Sequence, residues 1–357
     1  MRSAEIVRHR MHSQRLWGHP LDSAESVVRW LGALQAQEYA YAQWSVAQRA
    51  AGVDQAALDQ ALAAGTILRT HLLRPTWHFV LPEDIRWILK ISAPRVNAFN
   101  AYYYRQHELD DELFATSNAT LANALEQRGH LTRKELASVL ETAGILANGP
   151  RLGMIMMRAE LDGVICSGAP RGKQQTYALL DERAPKPRIM DTDEALAELT
   201  RRYFTARGPA TLKDYLRWSS LTAAEGRKGL DLIDSELERE VIDGRTYWFA
   251  TPSNNVKKTT KVVDLVQGYD ECIMSYSESR DLLAGIKELA DTRNVQPFLH
   301  AILLDGRLIG HWRRVLERGS VAIETSFYRT PGRGEMSAFD NAVENYIRFV
   351  ARPLSRP

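Results

Sequence analysis

Two cysteines, Cys166 and Cys272, stand in 357 residues. That supports neither a disulfide framework nor a zinc ligand set, and it fits a reducing cytosol. No apolar run reaches the roughly 18 residues that a membrane helix needs. The opening MRSAEIVRHRMHSQRLW is charged and has no apolar h-region, so no signal peptide is expected. Net charge is small, at +2, with a pI near 8.4. The totals therefore do not announce a polyanion binder, although a basic face can be offset by acids elsewhere. No G-x-S-x-G elbow occurs. GAPRGK, Gly168 to Lys173, is one residue short of a phosphate loop and lacks its Ser or Thr, which argues against nucleotide binding. His9-x-x-His12 has no further ligands at metal spacing, so no metal or other cofactor is expected. What remains is ordinary globular composition, 45% hydrophobic and 25% charged, long enough for two or three domain-sized units.

A repeat lies in the middle of the chain. Arg128 to Leu140 reads RGHLTRKELASVL, and Arg207 onward reads RGPATLKDYLRWSSL. Each begins with Arg-Gly and reaches, after two intervening residues, a Thr that opens a helix. Thr132-x-x-Glu135 is a capping box, and Thr211-x-x-Asp214 has a related form. The glycine lets the chain turn out of the preceding helix. A further helix follows in each copy, about Arg151 to Leu161 and Thr222 to Leu237, and then two short β-like runs. Helix, short helix, helix, hairpin is the order of a winged helix, whose third helix usually enters a major groove. The wing of the first copy, SGAPRGKQQ, places Arg171 and Lys173 within reach of phosphates.

The N-terminal third reads as a divergent third copy. Helical segments at Ser23–Ala33, Tyr41–Ala50 and Gln55–Ala63 precede a hairpin, ILRTHLLRPTWHFVL, with Arg74-Pro75 near its bend. After Asn254 the pattern changes. FLHAILLDGRLIGHW reads as two strands turning at Asp305-Gly306, Val321–Phe327 as another strand, and Phe339–Val350 as a closing amphipathic helix. The expected fold is mainly α with small β-hairpins and a mixed α/β C-terminal part. Three tandem winged-helix units are expected. The expected divisions are 1–115, 116–190, 191–255 and 256–357, with the last packed on the third unit.

LQAQ, then RTHLLRPTWHFVLPEDIRWIL, then QGYDECIMSYSESR, then LLDGRLIGHWRR resembles, in order and along nearly the whole chain, the AlkZ-like DNA glycosylases, which include the YcaQ group. The resemblance implies three winged helices around a basic concave surface shaped for duplex DNA. It implies removal of bulky N7-alkylated purines, and in some members unhooking of interstrand crosslinks or self-protection against DNA-alkylating antibiotics. It implies a bacterial, cytoplasmic, nucleoid-associated protein that acts as a monomer without cofactor. The family's catalytic Gln-apolar-Gln motif matches Gln35-Ala36-Gln37. The YcaQ branch tends to carry an acid at the second position, so Gln37 places this chain nearer the AlkZ branch. A family hairpin that enters DNA has two candidates here, Ile67–Leu81 and Phe298–Trp312.

A glutamine transfers no proton, so a pair of them at i, i+2 needs a reaction that asks for none. An N7-alkylated purine is already cationic and leaves readily; what remains is to place a water and steady developing charge. Gln35 and Gln37 are the candidate catalytic residues. Arg69, His71, Arg74 and His78 are candidates for phosphate contact or for support of the glutamines, or they form a wet strand face. Lys257, Lys258 and Lys261 are candidate phosphate contacts in a run that is otherwise simply solvated. Trp77, Tyr39, Tyr41 and Trp44 read as packing before base-stacking. Asp270-Glu271 reads as structural, paired for example with Arg280. The rival is a non-enzymatic winged-helix DNA-binding protein such as a transcriptional regulator, which has no need of a QAQ motif.

Overall fold

The structure, a computed structural model, describes residues 1–251, 261–283, 300–317 and 320–351. After a leading helix α1 (Ser3–Ser13), one arrangement of elements occurs three times. The first is α2 (Ala24–Leu31), β1 (Leu34–Gln35), α3 (Tyr39–Ala47), α4 (Gln55–Ala64), β2 (Leu68–Leu72) and β3 (Arg74–Val80), joined by the long α5 (Pro82–Gln106) to the second. The second is α6 (Asp111–Arg128), β4 (Leu131–Thr132), α7 (Arg133–Thr142), α8 (Gly149–Leu161), β5 (Ile165–Ser167) and β6 (Thr176–Leu179). After the short α9 (Leu180–Arg183), the third is α10 (Thr192–Arg207), α11 (Leu212–Ser219), α12 (Ala223–Leu232), β7 (Glu238–Ile242) and β8 (Arg245–Phe249).

In each copy the segment after the first helix pairs antiparallel with the second strand of the hairpin. The sheet orders are β1-β3-β2 and β4-β6-β5, and in the third copy the pairing shrinks to one bridge between Ala210 and Trp248. The helix starts follow from the sequence. Thr132 Oγ1 accepts the Glu135 N–H while Glu135 accepts the Thr132 N–H, and Thr211 and Asp214 do the same. The two repeat glycines act differently. Gly129 holds φ +67°, whereas at Gly208 a Cβ would lie 2.3 Å from the Phe204 carbonyl oxygen.

The C-terminal part is a four-stranded antiparallel sheet, β9 (Val263–Val266), β10 (His300–Leu304), β11 (Arg307–Glu317) and β12 (Ser320–Phe327), in order β12-β11-β10-β9. Between β9 and β10 lies the one-turn α13 (Glu271–Met274), and α14 (Arg333–Ala351) closes the chain. This part meets the third copy through its 271–279 segment, where Tyr203 donates to the Ser275 carbonyl and Asp214 accepts the N–H groups of Ser277, Glu278 and Ser279, but its sheet sits on the first copy. Leu265, Ile302, Trp312, Tyr346 and Phe349 share a core with Val27, Leu31 and Trp44 of the first copy. Trp44 binds this sheet twice, donating its indole N–H to the Leu265 carbonyl at 2.6 Å and setting its ring edge-on against Tyr346. Burial of side chains such as Leu265, Ile302 and Phe349 contributes about 1.5–3 kcal/mol each. A second core joins all three copies through Leu68, Leu72, Ile88, Leu161, Tyr203, Phe204 and Trp218. The β2–β3 hairpin is therefore wedged among the copies and does not project from one of them. Among the described residues, no helix is long and apolar enough to cross a membrane.

Candidate active site

Strand β1 is two residues long, and it carries the first glutamine. Gln35 pairs with His78 of β3, and the Ala36 N–H donates to the Trp77 carbonyl at 2.7 Å. The strand ends at Gln35, and Gln37 sits in the bend that leads into α3. Arg69 fixes the exit of the motif. Its Nε donates to the Ala36 carbonyl at 3.0 Å and its Nη2 to the Gln37 carbonyl at 3.4 Å, while the guanidinium lies 4.4 Å from the Trp77 ring centre. Gln37 is half-buried; its Oε1 lies 3.4 Å from the Trp77 N–H.

Gln35 retains 1% of its exposure, but its surroundings are polar. Its Oε1 accepts from Arg74 Nη2 at 2.8 Å. Arg74 also donates from Nη1 to the Trp218 carbonyl at 2.7 Å, and Nη2 lies 3.2 Å from His78 Nε2. His78 Nδ1 faces the Thr76 carbonyl at 2.9 Å, so Nδ1 carries the proton and Nε2 is the acceptor. Burial, and then the Arg74 charge, pull His78 down to about 3, so the ring is neutral at ordinary pH. The hairpin reaches this arrangement through an irregular turn. Leu73 sits at φ +60°, and the register slips between His71 and Leu72, which leaves Pro75 and Thr76 without ladder partners. Such a bulge is where a strand admits proline.

The other half of the site arrives from the C-terminal part. Glu271, at the start of α13, is fully buried. Its Oε1 accepts the backbone N–H of Gln35 at 2.9 Å. Its Oε2 accepts from Arg207 Nη2, from Trp218 Nε1 and from Ser275 Oγ, each at 2.8 Å. Burial alone would raise this carboxyl, but the Arg207 and Arg74 charges and the Gln35 N–H outweigh it and hold it at about 2. Asp270 beside it turns the other way, to a bidentate pair with buried Arg49 at 2.7 and 3.0 Å. The carboxylate pair is structural, as expected, but not with Arg280, which donates to the Tyr276 carbonyl instead.

The remaining candidates divide by burial. His71 is buried, faces Trp77 at 4.4 Å between ring centres and pairs with Glu160 of α8. His71 and His78 are thus buried, and half-buried Arg74 joins Gln35 to His78. Trp77 is only half-buried, between Arg69 and His71. Arg171 and Lys173 lie exposed on the β5–β6 loop, where Arg171 reaches back to Glu135 and the His130 carbonyl. Lys261 is exposed, 3.4 Å from Asp305; Lys257 and Lys258 lie outside the described residues. Sequence reasoning missed Glu271, Arg207 and Trp218 as a group. The only available signal was the position of Asp270-Glu271 in a quoted motif.

Chemically, the site holds two amides on a scaffold of locked charges. Neither Glu271, ionised and saturated by donors, nor His78, neutral and engaged at both ring nitrogens, is poised to give a proton.

The family model for DNA glycosylase AlkZ-like proteins matches residues 28–349. An interstrand DNA cross-link repair glycosylase of Streptomyces sahachiroi is 23% identical over 325 residues, 87% of each chain. The solved structure of the Streptomyces sahachiroi DNA glycosylase AlkZ superposes with a TM-score of 0.80 at 22% identity, over 98% of this chain and 97% of that one, which shows a shared fold. The chain belongs to the AlkZ-like family of DNA glycosylases.

Proposed function

We propose that this glycosylase hydrolyses the N-glycosidic bond of bulky N7-alkylated purines in duplex DNA, and unhooks an interstrand crosslink by releasing one alkylated arm. The observation that carries this reading is that, among the described residues, the two titratable groups beside Gln35 are engaged by other partners: Glu271 is saturated by donors and His78 is held at both ring nitrogens. A neutral base leaves poorly unless it is protonated. A purine alkylated at N7 already bears the charge and departs as a neutral base once the bond breaks. The sugar left behind is oxocarbenium-like; water adds at C1′ and its proton passes to solvent. Gln35 and Gln37 then serve to place that water at C1′. A relative with crosslink repair in its name supports extension to crosslinks.

The three repeated arrangements are read as winged-helix units that together hold the duplex, with the protein acting as a monomer. Lys173, Arg171 and the Lys257, Lys258 and Lys261 stretch are read as phosphate contacts on either flank. The test uses a duplex with one N7-alkylguanine, treated with alkali after incubation. Wild-type protein is expected to give strand cleavage at that base. Gln35→Ala and Gln37→Ala are expected to slow release by roughly 100-fold, the scale for loss of one preorganised polar contact. Folded variants that release the base at the wild-type rate would refute the assignment.

A further inference from the structure

We propose that Arg74 is a positioning residue that fixes which end of the Gln35 amide faces the reaction: Oε1 is turned inward, and Nε2 is left to donate to an oxygen of the bound nucleotide or of its attacking water. The inference rests on the reading above that Gln35 takes part in catalysis, and it assigns the polarity of that part.

The orientation follows from the chemistry of the neighbours. A guanidinium has donors only, so the Gln35 atom 2.8 Å from Arg74 Nη2 must be the oxygen. Arg74 is itself held at both terminal nitrogens, by the Trp218 carbonyl at 2.7 Å and the His78 ring at 3.2 Å. A second latch acts on the backbone, where the Gln35 N–H meets Glu271 Oε1 at 2.9 Å. Of the side-chain amide, only Oε1 has a partner among the described residues. Turning it over would set its NH2 against the Arg74 guanidinium, donor against donor, and forfeit a charge-assisted hydrogen bond.

Gln37 differs in kind. It is half-buried, and its carbonyl makes only a 3.4 Å contact to Trp77. It can turn its oxygen to a water without breaking a charged contact. The two glutamines therefore divide the work, Gln35 as fixed donor and Gln37 as the acceptor for water. Arg74 suits this place because its fork spans two acceptors in one plane; a lysine has a single nitrogen and cannot hold both. Burial pulls the Arg74 guanidinium down to about 10, with Glu271 opposing, so it stays charged at neutral pH.

The experiment is a double-mutant cycle on single-turnover release of an N7-alkylguanine from a duplex. It compares wild type, Arg74→Met, Gln35→Ala and the double variant, with duplex Kd and urea midpoint measured for each. Arg74→Met is expected to slow release by roughly 10- to 100-fold, the range of coupling between contacting residues. Its duplex Kd should stay within about twofold, and in the Gln35→Ala background it should add less than about twofold. Arg74→Lys keeps charge and stem packing if the Met variant fails to fold, and is expected to be slowed as well. Equal slowing by Arg74→Met in both backgrounds would overturn the proposal. So would a loss of duplex affinity in step with rate, or a wild-type rate in Arg74→Lys. If Gln35→Ala itself released the base at the wild-type rate, the catalytic reading of Gln35 would fall first, which separates the two failures.

Discussion

Glu271 accepts the backbone N–H of Gln35 at 2.9 Å, joining two buried residues 236 positions apart. The contact makes the C-terminal part a component of the site. The same carboxylate neutralises Arg207 and faces Arg74 electrostatically, so it holds a cluster of buried charge in balance. Removing one partner of a buried ion pair leaves the other unpaired, at a cost of about 3–5 kcal/mol. Glu271→Gln is therefore expected to lower the unfolding free energy by about 3–5 kcal/mol, read from urea titration as a lower midpoint. A midpoint equal to that of wild type would show that the charge at this position is dispensable.

Acid should act on the same cluster in two steps. The ordinary value for His78 is 6.5, and in the fold it is near 3. Between those values the unfolded chain binds a proton that the native chain refuses, so stability falls as pH drops below about 6.5. His9 and His300, drawn down by burial to about 4, act in the same direction. Glu271, lowered from 4.5 to about 2, adds a second loss below about pH 4.5. His78→Gln keeps an acceptor for Arg74 and removes one of these protons. Its urea midpoint should fall less than the wild-type midpoint between about pH 7.5 and about pH 5. An identical fall in the two proteins would mean that His78 is not neutral in the fold.

Gln37 offers a clean separation of activity from stability. Gln37→Ala removes a half-buried side chain with one long contact, so the cost in stability should stay within about 0.5 kcal/mol. Gln35→Ala strips a buried guanidinium of an acceptor and should cost about 1–3 kcal/mol. Urea titration of both, beside their release rates, checks this. A Gln37→Ala variant as unstable as Gln35→Ala would place Gln37 in the scaffold.

Salt tests the flanking contacts. Each phosphate neutralised contributes roughly −0.9 to the slope of log affinity against log salt on duplex DNA. Lys173 is exposed on the β5–β6 loop, with no ion pair among the described residues. Lys173→Ala should flatten the slope by about that amount and leave the release rate of saturated enzyme unchanged. An unaltered slope would remove this loop from the interface.

The repeat was legible because its signals are local. Thr132 and Thr211 cap helices three residues from their partners, and Asp305-Gly306 marks its turn by composition alone. The QAQ motif was singled out by the company of the other motifs along the chain, not by its own two glutamines. What holds the motif was not legible. Asp270 and Glu271 are neighbours in sequence, yet they separate to Arg49 and Arg207, and nothing nearby in the chain announces either partner. Of the readings that the alternation on the hairpin left open, the wet strand face fails for both histidines, which are buried. Alternating polar residues suggest one wet face, but β3 is the central strand of its sheet and α8 covers His71 through Glu160. Strand β9 escaped notice because VVDLV is buried and shows no alternation. The seat of the C-terminal sheet on the first copy, seen at Trp44 and Leu265, rests on contacts 221 positions apart.

The most direct test of the account compares release of N7-alkylguanine, uracil and 8-oxoguanine by the wild-type enzyme, each at the same position of one duplex. A site without a ready acid depends on the lesion's own positive charge. Rapid loss of the N7-alkylguanine with uracil and 8-oxoguanine left in place is the expected result. Release of uracil at a rate comparable to that of the N7-adduct would contradict it, because a neutral base would then be leaving without the charge on which the whole reading depends.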